Sequence, residues 1–182
     1  VELKKEILKD ILMRLGGLKE IPPITAFPSP DPYDYRTRVQ LKVKGEKLGY
    51  YQERSHQLVD IERCAIAHPL VNEIIPSLRK ERFLLSSTEE IDIHVSPEEG
   101  KGVLIFCFLK TSQGWETAAR QFLKSHSILK GITALSERQT ASLGKPHLSF
   151  TIPLNLTLRT SPGSFFQVNL KQNEELIQKV LE

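Results

Sequence analysis

The chain has 182 residues, of which 40% are hydrophobic and 26% are charged. This balance excludes a disordered tail, and the lack of a long apolar run excludes a membrane span. The formal net charge of +3 identifies an anionic partner only if the basic residues are clustered. The two cysteines, Cys64 and Cys107, give no disulfide framework, and the N-terminus lacks the apolar core of a secretory signal. We therefore expect a soluble, cytoplasmic protein.

The two ends of the chain are both predicted to be amphipathic helices. At the start, apolar residues recur on one face until Gly16 and Gly17 end the pattern. Five prolines between Ile21 and Pro32 then predict a connector that is neither helix nor sheet. The last helical pattern, from Leu176 to Leu181, has no capping glycine or proline after it. We expect the natural protein to extend beyond both ends.

The segment from Tyr35 to Lys44 alternates in the manner of a half-buried strand. A turn around Gly45 and a returning strand from Leu48 to Arg54 complete a predicted hairpin. Four cationic side chains share the polar face of the first strand, and we call them the basic stripe: Arg36, Arg38, Lys42 and Lys44. Such side chains bind phosphates, which makes RNA a candidate ligand. The alternative is a solvated strand face whose charges oppose aggregation.

The remaining elements are predicted by periodicity and turn residues. Helices are expected over 69–83, with a break at Pro76, and over 115–126; strands are expected over 91–96, 102–110, 131–136, 148–152 and 156–160. The segment 103–109 is apolar on both faces and is predicted to be a central strand. Hairpins separated by helices, without regular strand-helix alternation, predict an α+β fold with a mainly antiparallel sheet.

Few residues of the chain are candidates for metal binding or catalysis. Cys64 is predicted in an accessible loop, but the spacing of His56, Cys64 and His68 does not favour a zinc site. Cys107 is expected to be a small buried hydrophobe. The other histidines, His94, His126 and His147, are expected at surface or hydrogen-bonded positions.

A short segment before the last helix, Ser161 to Asn169, combines turn residues, two aromatic residues and two amides. A structural interpretation buries Phe165 and Phe166 and makes Asn169 the N-cap of the helix. A functional interpretation stacks an aromatic side chain on a base and lets Gln167 hydrogen-bond a ligand. The local sequence favours neither interpretation over the other.

Four motifs, in this order, resemble those of the RNA 5-methyluridine (uracil-C5) methyltransferase family. They are Tyr35–Gln40, Lys47–Tyr51, Asp60–Cys64 and Ser164–Asn169. The resemblance extends over essentially the whole chain. It implies that residues 1–160 form the central RNA-recognition domain. Residues 161–182 would then be the linker and first helix of a Rossmann-like, SAM-dependent methyltransferase domain that continues beyond the chain.

The resemblance also implies roles for individual residues. Gln167 corresponds to a glutamine that contacts SAM, and Phe165 lies where the RNA target region meets the catalytic cleft. Arg36 and Arg38 correspond to arginines on the RNA side. Cys64 corresponds to one ligand of a [4Fe-4S] cluster whose three other cysteines would precede Val1, so no cluster is expected in this chain alone.

The chemistry implied by the resemblance uses residues beyond Glu182. A cysteine thiolate adds to C6 of a flipped-out uridine, C5 takes the methyl group from SAM, and a base removes the C5 proton. The chain is therefore expected to contain no catalytic residue and to be inactive alone. Its expected partner is an rRNA or tRNA stem-loop, without DNA or membrane. The alternatives are a stand-alone RNA-binding module and a scaffold between domains.

Overall fold

The computed structural model describes residues 1–108, 112–136 and 140–182. Within them, seven strands form the main sheet: β1 (Arg38–Lys44), β2 (Lys47–Tyr51), β3 (Leu58–Asp60), β4 (Thr88–Ser96), β5 (Lys101–Phe108), β6 (Leu129–Leu135) and β7 (Thr140–Gly144). Their order is β3-β2-β1-β4-β5-β6-β7. The β5–β6 pair is parallel, and the other neighbouring pairs are antiparallel. The predicted α+β class with a mainly antiparallel sheet is confirmed.

Besides the main sheet, the described ranges contain five α-helices and a separate hairpin. They are α1 (Glu2–Arg14), α2 (Pro69–Lys80), α3 (Arg82–Leu85), α4 (Trp115–Ser125), α5 (Leu170–Leu181), β8 (Leu148–Ile152) and β9 (Leu156–Thr160). Helices α2, α3 and α4 contact the main sheet and one another. None of the helices in the described ranges is both long enough and apolar enough to cross a bilayer.

The main core lies between one face of the sheet and helices α2 to α4. Alternate residues of the central strands enter it, because successive side chains of a strand point to opposite faces. Its members include Leu41 of β1, Ile91 and Ile93 of β4, Leu104 and Phe106 of β5, Ile74 and Leu78 of α2, and Phe122 of α4. Trp115 packs edge-on against Phe106, with ring centroids 5.3 Å apart. We call this side of the sheet the helix-covered face.

The opposite side of the sheet is only partly covered. The β8–β9 hairpin closes one end of it, where Val103, Leu148 and Phe150 form a second, smaller core. Phe166 joins this core and stacks on Phe150, with ring centroids 4.5 Å apart. The rest of this side carries polar side chains of β1 and β4, and we call it the polar face. Any ligand that approaches the sheet directly would meet these side chains.

Most predicted elements are present, but several of their boundaries differ. The first strand begins at Arg38 and not at Tyr35. The break after α2 falls at Glu81, whereas the helix continues through Pro76. The short edge strands β3 and β7 were not predicted. The end of the strand predicted over 102–110, at positions 109 and 110, lies outside the described residues.

The late start of β1 has a clear cause in the hydrogen bonds of the preceding residues. Arg36 donates its backbone N–H to Ile66 and accepts from the N–H of His68, at 2.8 and 2.9 Å. Thr37 donates to the carbonyl of Val168 at 2.9 Å. The backbone before β1 therefore ties together the loop before α2 and the segment before α5, instead of extending the sheet.

Helix α1, which was predicted from periodicity, has no buried residue. Its apolar side chains Leu3, Ile7 and Ile11 are 73%, 51% and 43% exposed. The helix therefore contributes little to either core. The same holds for the apolar residues near the end of α5, where Val180 is 78% exposed.

Candidate nucleic-acid interface

The basic stripe is matched by acidic side chains of the neighbouring strand. Arg38 donates to Asp92 at 2.6 Å, and Lys42 forms an ion pair with Glu90. The antiparallel register of β1 and β4 places these residues close together on the polar face. Lys44 is exposed beyond them. The stripe is therefore a partly neutralised surface and not a row of free cations.

Asp92 is the most buried charged residue of the polar face, with 5% of its surface exposed. Burial would raise the pKa of its carboxyl group, but His94 and Arg38 lower that pKa below the usual value. His94 Nε2 lies 3.7 Å from Asp92 Oδ2. Among the described residues, neither His94 Nε2 nor Asp92 Oδ1 has a hydrogen-bond partner. His94 is thus partly buried beside Asp92 and not fully at the surface.

Arg36 is separated from the other members of the stripe because it precedes β1. Its Nε is buried and has no hydrogen-bond partner in the part of the chain that the structure describes. It lies near Tyr50, whose hydroxyl donates to Cys64 Sγ at 3.6 Å. Burial and the neighbouring thiol raise the pKa of Tyr50.

Cys64 lies in the loop before α2, as predicted, but only 8% of its surface is exposed. Asn72 fixes this loop through its side-chain amide. The amide oxygen accepts a hydrogen bond from the N–H of Cys64, and the amide nitrogen donates to the carbonyls of Cys64 and Ala67. Among the described residues, no three His, Cys, Asp or Glu side chains come together as metal ligands. The residues around Cys64 therefore do not complete a site for a [4Fe-4S] cluster.

Cys107 was predicted to be buried in the core, but it is not. It is half-buried and lies opposite Glu90 in the β4–β5 register, which places it on the polar face. Burial raises the pKa of its thiol. The central position of β5, between β4 and β6, is confirmed. The predicted burial of Cys107 was wrong because a central strand can bury one face fully and the other only in part.

The segment before α5, Ser161 to Asn169, agrees in part with the structural interpretation of its sequence and in part with the functional one. Phe165 is 78% exposed, contrary to the structural interpretation, whereas Phe166 packs in the smaller core in agreement with it. Asn169 is the N-cap of α5 and accepts from the N–H of Gln172 at 3.1 Å, as predicted. Gln167 is exposed and borders a groove between Phe27 and α5. The roles of Phe165 and Gln167 toward RNA and SAM stay predictions.

The polar face and the segment before α5 are adjacent. Residues from both line one small recess: Thr37, Arg38, His94, Phe150, Thr160, Ser164 and Phe166. Thr37 also donates its hydroxyl to the carbonyl of Val168 at 3.1 Å. The sequence motifs around Arg38 and Phe166, more than 120 residues apart, are therefore brought into one surface.

Two groups of functional candidates were missed in the sequence. The acidic partners Glu90 and Asp92 stand at alternate positions of β4, and that alternation was the available signal. The aromatic residues Tyr51 and His56 contact each other across the β2–β3 loop, which no local pattern predicts.

Comparisons with known proteins agree with the sequence motifs. No model of a known protein family matches the chain. An uncharacterized RNA methyltransferase of Clostridium acetobutylicum is 36% identical over 217 residues, covering 100% of this chain and 45% of the relative. The 23S rRNA (uracil(1939)-C(5))-methyltransferase of Nitrosospira multiformis is 30% identical over 194 residues, covering 100% of this chain and 44% of the relative.

A solved structure has the same fold. It is the tRNA (uracil-54, C5)-methyltransferase of Pyrococcus abyssi in complex with S-adenosyl-L-homocysteine, with a TM-score of 0.74 and 18% sequence identity. The match covers 95% of this chain and 45% of that protein. The chain thus spans less than half the length of the proteins it matches.

The curated relatives define a class, the RNA methyltransferases. Within that class, two relatives with a named specificity are 23S rRNA uracil-C5 methyltransferases. The resemblance of the chain to the RNA uracil-C5 methyltransferase family is confirmed.

Proposed function

We propose that this chain is the central, RNA-presenting domain of a SAM-dependent uracil-C5 methyltransferase that makes 5-methyluridine in rRNA or tRNA. The observation that carries the proposal is the alignment of the whole chain with 44% of a 23S rRNA uracil-C5 methyltransferase at 30% identity. Residues 1–160 form the RNA-presenting domain. Residues 161–182 are the linker and first helix of the methyltransferase domain.

The polar face is the proposed RNA-binding surface. Arg36, Arg38, Lys42 and Lys44 bind phosphates, and Phe165 stacks on a base near the catalytic cleft. Arg36 is assigned by its place in the Tyr35–Gln40 motif, since its buried Nε is not exposed to a ligand. The recess shared by Arg38 and Phe166 supports a continuous path from the sheet to the segment before α5.

The proposed SAM contact is Gln167. Its side chain is exposed at the groove beside Phe27, and the methyltransferase domain would close this groove. SAM supplies the transferred methyl group, and residues outside this chain perform the chemical step. Cys64 is a cluster ligand only if cysteines from elsewhere in the protein join it, because the described residues around it offer no complete ligand set.

The ion pairs of the polar face favour a second candidate, a scaffold between domains that does not bind RNA. Glu90 and Asp92 neutralise two of the four cations of the stripe. A surface that keeps only half of its positive charge would attract the RNA backbone more weakly. Measurement of RNA affinity separates the two candidates.

Replacing Arg36 and Arg38 together with alanine tests the proposed interface. We expect a fall of about tenfold in affinity for an rRNA or tRNA stem-loop and a shallower salt dependence, because each lost phosphate contact removes about one unit of slope. Fluorescence anisotropy across a salt titration measures both quantities.

Arg120→Ala is the matched control, since Arg120 is exposed on α4 over the helix-covered face. We expect this variant to bind RNA as the unmodified protein does. A folded double variant that binds the stem-loop with unchanged affinity and slope would favour the scaffold.

A further inference from the structure

The loop between β2 and β3 presents an aromatic pair to solvent. Tyr51, the last residue of β2, is 45% exposed. The ring of His56 meets the Tyr51 ring edge-on, with centroids 5.7 Å apart and an interplanar angle of 84°. An exposed pair of this kind leaves ring faces that neither core covers.

The loop that holds this pair is ordered by its own hydrogen bonds. Gln52 donates its backbone N–H to Gln57 at 2.9 Å, which closes the loop. Inside it, Ser55 donates to the carbonyl of Gln52, and the Ser55 hydroxyl accepts from the N–H of Gln57 at 3.2 Å. Side chains held on a closed loop lose little conformational entropy on binding.

Arg54 stands at the tip of the same loop. Its φ angle of 56° lies in the left-handed region, which is uncommon for a residue other than glycine. The side chain is 91% exposed, and it forms a 3.4 Å ion pair with the neighbouring Glu53, whose side chain is 85% exposed. An ion pair as exposed as this one contributes little to stability, so the guanidinium group is available to a ligand.

The aromatic pair continues the polar face. Gly49 of β2 lies opposite Lys42 of β1, so these two residues share the polar face. Tyr51 is two residues beyond Gly49 and therefore points to the same face. Tyr51, Lys42 and Gln40 thus form one edge of the surface proposed to bind RNA.

We propose that Tyr51 and His56 stack on an unpaired nucleotide of the RNA substrate while Arg54 contacts a neighbouring phosphate. Single-stranded RNA is recognised by stacking of splayed bases on aromatic side chains, and arginine adds backbone contacts. A base-paired helix does not offer such bases. The β2–β3 loop of the protein therefore distinguishes unpaired from paired RNA, whereas the basic stripe contacts the phosphates of both kinds of RNA. This inference rests on the proposed RNA-binding function and adds a selective element to it.

The test compares two RNA probes with the protein and its variants. One probe is a stem-loop with an unpaired loop, and the other is a fully paired duplex of the same length. We expect Tyr51→Ala combined with His56→Ala to weaken stem-loop binding about tenfold and duplex binding hardly at all. Combined replacement of both residues with phenylalanine should retain most of the affinity, because phenylalanine keeps a stacking surface.

Phe83→Ala is the control for loss of an exposed aromatic side chain. Phe83 is 48% exposed and belongs to α3, on the helix-covered face. This variant should bind both probes normally. The single change His56→Ala is a second test, because it alters an exposed loop position and leaves strand β2 unchanged. We expect it to weaken stem-loop binding less than the double alanine variant does.

Two results would overturn the inference: unchanged stem-loop affinity in the double alanine variant, or an equal loss for both probes. Its failure is distinguishable from failure of the proposed function. If only the proposed role of the β2–β3 loop is wrong, the Arg36 and Arg38 variant still loses RNA affinity while the Tyr51 and His56 variant does not. If the protein binds neither probe, the proposed RNA-binding function falls together with this inference.

Discussion

Replacing Asp92 with alanine is expected to lower the free energy of unfolding by about 2 kcal/mol at neutral pH. Removal of one partner of a buried ion pair costs about 3 to 5 kcal/mol, because the other charge stays buried without a partner. The side chain of Arg38 is 30% exposed, so solvent compensates part of that cost. Urea unfolding of the protein and the variant at pH 7 measures the difference.

Glu116→Ala is the matched control for the Asp92 variant. Glu116 pairs with Arg120 on α4, and both side chains are more than half exposed, at 67% and 56%. Loss of such a pair costs about 0.5 kcal/mol or less. If Asp92→Ala were no more destabilising than Glu116→Ala, the pair on the polar face would not contribute to stability as the structure indicates.

The destabilisation should shrink in acid. The pKa of Asp92 is lower in the folded protein than in the unfolded chain. A carboxyl group of this kind stabilises the fold above its unfolded pKa and loses that effect as the pH falls through its folded pKa. The difference between the protein and Asp92→Ala should therefore be full at pH 7 and diminish as the pH drops below the ordinary range of aspartate. A difference that grew in acid would contradict the direction of this shift.

Replacing Gln167 with alanine is expected to raise the Michaelis constant for SAM about tenfold in the complete methyltransferase. One or two hydrogen bonds would be lost, each worth about 0.5 to 1.5 kcal/mol. Gln167 is exposed and makes no hydrogen bond with the other described residues, so the melting temperature should not change. SAM kinetics and thermal unfolding of the same preparations measure both effects.

Gln113→Ala controls for the loss of an exposed glutamine, since Gln113 precedes α4, far along the chain from the proposed SAM contact. It should leave both quantities unchanged. A lower melting temperature with unaltered SAM kinetics in the Gln167 variant would mean that the family role does not apply to this residue.

The parts of the fold that the sequence predicted are those with strong local patterns. Burial alternates along β1 because one face of this strand enters the core while the other stays polar. Helix α4 was recognised by its apolar stripe, and the N-cap at Asn169 by its side-chain chemistry. The edge strands β3 and β7 were missed because three residues are too few for a pattern and Thr140–Gly144 is mostly exposed.

The candidate site was predicted only in part, because its environment depends on contacts distant in sequence. Arg38 and Lys42 were recognised as neighbours on a strand, but their partners Asp92 and Glu90 are about fifty residues away. The strand register that joins them cannot be read from either strand alone. The same limit applies to the exposure of Phe165, which is set by the packing of Phe166 on the β8–β9 hairpin.

The most direct test of the central claim is a measurement of 5-methyluridine. Labelled SAM and the cognate rRNA or tRNA would be incubated with this chain alone and with the complete protein proposed here, and the RNA would be digested and analysed for the modified nucleoside. We predict 5-methyluridine with the complete protein and none above the no-protein control with residues 1–182 alone. Formation of 5-methyluridine by the chain alone, or a complete protein that methylates no uridine of either RNA, would contradict the account.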